Sequence, residues 1–385
     1  MTYERITVTQ EKYKVKRIII SVFFVLLQLT TTNCKGADKS WSNEQKNEDL
    51  DSLILKKANK LAERIQIIDC HSHSLFRLDN DKEKQITFSS LKSGSINNIV
   101  QAFPVNRSSE GSLSEQIIAD LRSVIEEMNN KMAHASLVLS SKDLMNRKDN
   151  SEPKVVFAIE SFKGLSEGNL SLMQKYYDEG VREIGINSSG DDKVYEDELL
   201  TEYGKNYVKE LNRLGMICDI THIRKSIQSQ IIDLSQAPVI ISHGGAIGAV
   251  ASGFNTPDSI LDKLVNKGGM IGVTLYSGQI SNKTLKEIDS GVDWKEASRA
   301  NIEELIDHID YLKERIGIDY ISIGSDYGGS GQMSPSGLET IKGYPLIIYY
   351  MLKRGYTEEE IEKIMGLNFV RYWERVENTA QNIKP

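Results

Sequence analysis

Apolar residues fall along this chain in short, nearly continuous runs, and the stretches between them carry a helical spacing instead. From Ser52 onward the runs are IQIIDC (65–70), INNIVQAFPV (96–105), KVVFAIE (154–160), VREIGIN (181–187), GMICDIT (215–221), APVIISH (237–243), GGMIGVTLY (268–276) and DYISIGS (319–325). Between them, stretches such as SEQIIADLRSVIEEMNNKM, NLSLMQKYYDEG and NIEELIDHIDYLKERIG read as amphipathic helices. A strand that is apolar at every position is buried on both faces, and its alternation with helices predicts a parallel sheet covered by them. Eight such units fit a (β/α)8, TIM-like barrel with C-terminal helices, forming one domain over residues 52–385. A doubly wound open sheet is the structural alternative. In the C-terminal TEEEIEKIMGLNFVRYWERV, Thr357 and Glu360 make a capping box ahead of a helical repeat, which predicts a scaffold helix without chemistry.

The N-terminal pattern is of another kind. Arg5, Lys12, Lys14, Lys16 and Arg17 precede IIISVFFVLLQL (18–29), a basic stretch followed by an apolar one. That is the layout of a secretory signal, and the apolar part falls short of the roughly 20 residues a membrane-spanning helix needs. A membrane anchor lengthened by the following threonines is the alternative. Cys34 comes next, ahead of the polar KGADKSWSNEQKNEDLDS, and the arrangement resembles a bacterial lipoprotein signal with Thr31 where leucine is usual. The expectation is a signal peptide over residues 1–34 ending at a lipidated Cys34, and a polar tether over 35–51. The chain would then be an exported lipoprotein anchored to the membrane of a bacterial envelope.

Composition narrows the partners more than the fold. Hydrophobic content of 39% and charged content of 26% over 385 residues suit a soluble globular chain with a large core. A net charge of -7 gives no basic footprint, so nucleic acid is not an expected partner. Past residue 34 only Cys70 and Cys218 remain, too few for a disulfide framework.

The stretch IIDCHSHS (67–74) holds two of the chain's six histidines, one residue apart. In a (β/α)8 barrel the chemistry sits at the C-terminal ends of the strands. His71 and His73 come just past the first run and Glu160 ends the third; His222 follows the fifth, His243 ends the sixth and Asp326 follows the eighth. Residues i and i+2 of an extended segment point the same way, so His71 and His73 can share one cation. Imidazole suits zinc and similar ions, a carboxylate such as Glu160 can bridge two of them, and His222 with His243 would complete a second position. Two ions about 3.5–4 Å apart can hold a hydroxide that attacks a carbonyl carbon. Each residue alone has a bland reading, as a hydrogen-bonded histidine or a salt-bridged glutamate, and the constellation is what carries the metal. His134 and His308 lie within helical patterns and read as packing or surface residues.

Three ordered blocks carry a resemblance. LTEYGKNYVKELNRLGMICDITH (200–222), PVIISH (238–243) and the block from ISIGSDYGG to YWERV (321–376) resemble the membrane (renal) dipeptidase family of zinc peptidases, within the amidohydrolase-type barrels. The likeness runs from about Ile65 to the C terminus. It implies that His71 and His73 stand for the family's His-x-Asp pair, with histidine in place of the aspartate. It also implies that Glu160 bridges, that His222 and His243 hold a second ion, and that Asp326 is the proton shuttle. The implied cofactors are two divalent metal ions, zinc foremost, although the same donors would take manganese or iron.

The substrate side departs from the family pattern. Asn187-Ser188-Ser189 stands where the family has Thr-His-Asn, so Ser188 replaces a histidine that stabilises the oxyanion. Phe254-Asn255 replaces an Arg-Asn pair, and phenylalanine makes no bidentate contact with a substrate carboxylate. The second aspartate of the strand-eight motif is likewise Gly328 or Gly329. The resemblance thus implies a dipeptidase-like hydrolase that cleaves an amide or peptide bond in a dipeptide or related small amide. A more apolar, N-acylated or cyclic substrate would suit Phe254. The rival is a non-catalytic surface lipoprotein that uses the inherited barrel to bind a ligand or partner. A homodimer is also implied by the resemblance.

Overall fold

Each of the eight apolar runs becomes a stave of one closed barrel. The computed structural model describes residues 43–75, 85–87, 90–91, 96, 98–104, 112–129, 135–145, 152–160, 165, 168–186 and 193–383. The chain divides into two units, Met1–Leu50 and Asp51–Pro385, and the second holds the barrel. Its staves are β1 (Ile68–Ser72), β2 (Asn98–Pro104), β3 (Lys154–Glu160), β4 (Val181–Gly185), β5 (Ile217–Asp219), β6 (Ile240–Gly244), β7 (Met270–Val273) and β8 (Ile321–Ile323). Each pairs in parallel with its neighbours in sequence, and β8 returns to β1 through Asp69↔Ile323. The pair β2–β3 runs in unbroken register from Asn98↔Lys154 to Pro104↔Glu160. This closure rules out the open doubly wound sheet, and a two-residue strand, Ser136–Leu137, adds in parallel to the start of β3.

Helix α1 (Asn43–Arg64) precedes the barrel and begins within the stretch read as a tether. Around the staves lie α2 (Leu113–Asn129), α3 (Ser171–Asp178), α4 (Glu202–Leu214), α5 (Lys225–Leu234), α6 (Asp258–Asn266) and α7 (Ile302–Ile316). Their limits follow capping chemistry. Thr201 accepts a hydrogen bond from Gly204 N at the start of α4, and Asn301 with Glu304 forms a capping box on α7. At the end of α1, Ile65 N still bonds to Leu61 O at 2.9 Å. The first strand therefore begins at Ile68 rather than Ile65, and His71 lies inside it. Among the described residues no helix is long and apolar enough to cross a membrane.

The strands sort their side chains into two cores. Outward residues such as Ile67, Phe157, Ile241 and Ile271 pack with Leu121, Tyr207, Ile231, Leu261 and Leu305 of the helices. Inward residues Ile68, Cys70, Val100, Ala158, Ile217, Ile240 and Met270 pack with Phe369, Tyr372, Trp373 and Val376 of the last helix, α8 (Asn368–Ile383). Several of these inward residues open their strands, so α8 closes the N-terminal end of the barrel, and each aromatic contributes roughly 1.5–3 kcal/mol by burial. The scaffold role expected of the tail holds, including the Thr357–Glu360 capping box. The tail is nonetheless broken at Gly366, where a Cβ would lie 2.5 Å from Gln66 O, so only glycine lets the two backbones pass.

Strict alternation would turn His71 and His243 outward, because their neighbours Cys70 and Ser242 face the barrel interior. Two β-bulges prevent this. Along β1, Asp69 pairs with Ile99 but Ser72 pairs with Gln101, three residues against two. Along β6, Ile241 pairs with Ile271 and Gly244 with Val273. The extra residue re-aims the strand at the barrel rim, and both histidines reach the centre.

Candidate metal centre

Six of the residues singled out in the sequence converge at the C-terminal end of the barrel. Glu160, the last residue of β3, lies between two histidine pairs. Its Oε2 is 2.8 Å from His73 Nε2 and 3.8 Å from His71 Nε2. Its Oε1 is 3.2 Å from His222 Nε2 and 3.7 Å from His243 Nε2. Within the pairs, the Nε2 atoms of His71 and His73 are 3.2 Å apart, and those of His243 and His222 are 2.7 Å apart. Asp326 Oδ1 stands 3.6 Å from His73 Nε2. Among the described residues the potential ligand atoms fall into three overlapping groups: His71 with His73 and Asp326, Glu160 with His222 and His243, and His71 with Asp219 and His243.

The surroundings aim these rings inward. His73 Nδ1 lies 3.1 Å from Ala102 O, and a carbonyl only accepts, so Nδ1 carries a proton and Nε2 is the atom turned to Glu160. The Nδ1 atoms of His71 and His243 both approach Ser242 Oγ. The rings of His71 and His243 stack with centroids 3.9 Å apart. Burial lowers the His71 pKa to about 3 and holds that of His243 well below the usual imidazole range. His222 is raised instead, since its hydrogen bond to Glu160 and that carboxylate's charge outweigh its burial. Burial would raise Glu160, but the charge of His73 and its hydrogen bonds to His222 and His73 keep it well below the carboxylate range.

These residues fit a divalent metal on their own geometry. The Nε2 atoms of His71 and His73 meet at 3.2 Å with Glu160 Oε2 beside both, a cluster of donor atoms that a cation between them would join. Glu160 is buried with each carboxylate oxygen turned to imidazole nitrogens. Nitrogen donors with a bridging carboxylate are a donor set for zinc and similar ions. His222 and Asp326 both hold left-handed backbone, with φ of 63° and 57°, which non-glycine residues adopt at a cost of order 1–3 kcal/mol. Burial pushes the Asp326 carboxyl up to about 7, against the pull of His73. A Cβ at Gly329 would lie 2.0 Å from Asp326 Oδ1, so the absence of a side chain at this position is what lets the carboxyl take its place.

The substrate side is less complete. Ser188 and Cys34 lie outside the described residues, as do His134 and the N-terminal signal. Phe254 is 67% exposed on the loop after β6, and Lys225 Nζ donates to its carbonyl at 3.2 Å. Asn255 is fully buried, its Nδ2 donating to Val250 O at 2.9 Å and Gln279 O at 2.8 Å, so it braces that loop. His308 packs against the same loop and accepts from Ala246 N at 2.8 Å. Sequence reasoning missed Asp219, Ser242 and Glu183. Each is a polar residue buried within a barrel strand, a signal in itself, because such residues are rarely buried without a purpose.

Comparison with known proteins follows the same lines. A family model for membrane dipeptidase (peptidase family M19) matches residues 55–385. The chain is 28% identical over 317 residues to Dipeptidase 3 of Homo sapiens, covering 79% of this chain and 61% of that protein. It is 31% identical over 223 residues to Dipeptidase tcpJ of Claviceps purpurea (strain 20.1), covering 56% of this chain and 49% of that one. It therefore spans only about half to three-fifths of the length of these relatives. The solved probable dipeptidase PvdM of Pseudomonas aeruginosa superposes with a TM-score of 0.74 at 20% identity, covering 85% of this chain and 99% of its own. A metallo peptidase of Rhodobacter sphaeroides, liganded with a phosphinate mimic of the dipeptide L-Ala-D-Ala, gives 0.69 at 19% identity, covering 81% and 99%. Both share the barrel fold.

Proposed function

The chain belongs to the membrane dipeptidase family, and on that premise we propose that it is a metal-dependent hydrolase cleaving the amide bond of a dipeptide or a related small amide. The observation that carries this reading is the position of Glu160, with one carboxylate oxygen toward His71 and His73 and the other toward His222 and His243. These five residues would hold two divalent ions, zinc foremost, with manganese or iron admitted by the same donors. Bound there, the ions would supply Lewis acidity at the substrate carbonyl and lower the pKa of water. Asp326 takes the proton at its carboxylate and returns it to the leaving amine nitrogen. Its burial, which raises the carboxyl's pKa, suits it to hold that proton between the two transfers.

Phe254 offers apolar surface where the family resemblance calls for a carboxylate clamp, which favours apolar, N-acylated or cyclic substrates. The dipeptide mimic bound by the Rhodobacter sphaeroides relative supports a dipeptide-like scaffold. The basic and apolar pattern of residues 1–29, followed by Cys34, supports an exported chain held to the envelope membrane by a lipid on that cysteine. A homodimer belongs to the same reading.

The test is turnover of dipeptides and N-acyl amino acids by the metal-replete full chain and by Asp326→Asn. The substitution should lower kcat by about 10²–10⁴ while metal content stays at that of the wild type. Turnover of neither substrate class, or an Asp326→Asn protein as active as the parent, overturns the proposal.

A further inference from the structure

One buried hydroxyl touches a histidine of each metal position. Ser242 Oγ lies 3.1 Å from His71 Nδ1, 2.9 Å from His243 Nδ1 and 2.7 Å from Asp219 Oδ2. A longer approach of 3.3 Å joins it to Thr221 Oγ1. A hydroxyl owns one proton and two lone pairs, so who donates to whom is a matter of counting.

Asp219 settles the count. Its Oδ1 accepts from Thr221 N at 3.0 Å, Thr221 Oγ1 at 2.6 Å and Ser242 N at 3.1 Å. Ser242 N is shared with Thr221 Oγ1 at 2.9 Å, and burial raises the Asp219 pKa, but the donors gathered on Oδ1 work against that burial and cast the carboxylate as acceptor. Its Oδ2 therefore takes the Ser242 proton. Ser242 Oγ is left with two lone pairs, and both imidazoles must donate to them through Nδ1–H. Each ring then turns an unprotonated Nε2 to the centre, His71 beside His73 and Glu160 Oε2, His243 beside His222 and Glu160 Oε1.

We infer that Asp219 and Ser242 form a single positioning pair that fixes the tautomers of His71 and His243 together, so that the two metal positions fill and empty as one. The inference rests on the metal reading above and adds the coupling between the two positions. Ordinary practice gives each metal-binding histidine its own orienting partner. Here one serine hydroxyl serves two rings from different strands, and the bulge in β6 is what allows Ser242 and His243, adjacent in sequence, to reach the same centre.

The test uses the full-length protein, with zinc as the probe, and reads metal equivalents and zinc affinity by chelator competition. Ser242→Ala removes the shared acceptor and should weaken both positions together by about 10–100-fold. Ser242→Thr keeps the hydroxyl and should bind within a few-fold of wild type. Asp219→Asn can donate to Ser242 and push the hydroxyl proton onto one ring, so it should lose zinc as Ser242→Ala does. Should the alanine variant fail to fold, two-bond ¹H–¹⁵N spectra of the metal-free wild type still decide, and they should show Nδ1–H at both histidines. An Nε2–H tautomer at His71 or His243, unchanged affinity in Ser242→Ala, or loss from one position alone overturns the inference. A wild-type protein that binds no zinc instead sinks the metal reading on which it rests.

Discussion

The two ends of the barrel meet opposite demands with the same eight strands. At the N-terminal end, Phe369, Tyr372, Trp373 and Val376 of α8 close the interior with apolar surface. At the C-terminal end, the interior gathers four imidazoles with Glu160, Asp219 and Asp326, groups that burial alone disfavours. Near the starts of β1 and β6, simple alternation decides which side chains face inward. Near the rim, bulges in β1 and β6 override alternation. The contrast teaches that stability and chemistry are separated along the strand axis, so each should be open to disruption without the other.

Trp373→Ala should give the largest effect, a loss of about 3–5 kcal/mol in denaturant unfolding, because it empties a fully buried site at the closed end. Metal equivalents per folded chain should not change, and a folded fraction depleted of metal would break the separation. Glu160→Gln should do the reverse. Removing the carboxylate common to both histidine pairs should weaken zinc binding more than about 100-fold, beyond the cost of losing an outer partner, as read by chelator competition. Its unfolding curve should lack the shift seen in Trp373→Ala.

The smallest effect sharpens the comparison at a single loop. Burial lowers the pKa of His308 from 6.5 to about 4. Between these values the unfolded chain binds a proton that the folded one refuses, so stability rises with pH across the window and is lost as pH falls through it. The full effect is at most about 3 kcal/mol. His308→Gln keeps an acceptor for Ala246 N but does not titrate, and should flatten the stability slope between pH 4 and 6.5. Equal slopes in the two proteins would mean that His308 is not held neutral by the loop after β6.

Much of this was legible in the chain. Runs such as KVVFAIE and APVIISH are apolar at nearly every position, and only a strand buried on both faces calls for that. The placement of His71, His73, Glu160, His222, His243 and Asp326 near strand ends followed from the same reading. Asp219 and Ser242 were in plain view within GMICDIT and APVIISH, yet passed as filler, because nothing local says which buried polar residue has a partner across the barrel. Asn255 carried a substrate expectation, whereas its amide is engaged by loop carbonyls, a contact no spacing rule foretells.

By itself, then, the sequence determined the number of staves, their helical cover and the chemical type of the group at each strand end, since periodicity and composition are local properties. The closure of β2 on β3 and of β8 on β1, the bulges in β1 and β6, and the meeting of His71 with His243 at Ser242, which lies 171 residues along the chain from His71, were decided only by tertiary structure. Distances of that kind depend on strand register around a closed ring, and register is fixed by the packing of all eight strands at once.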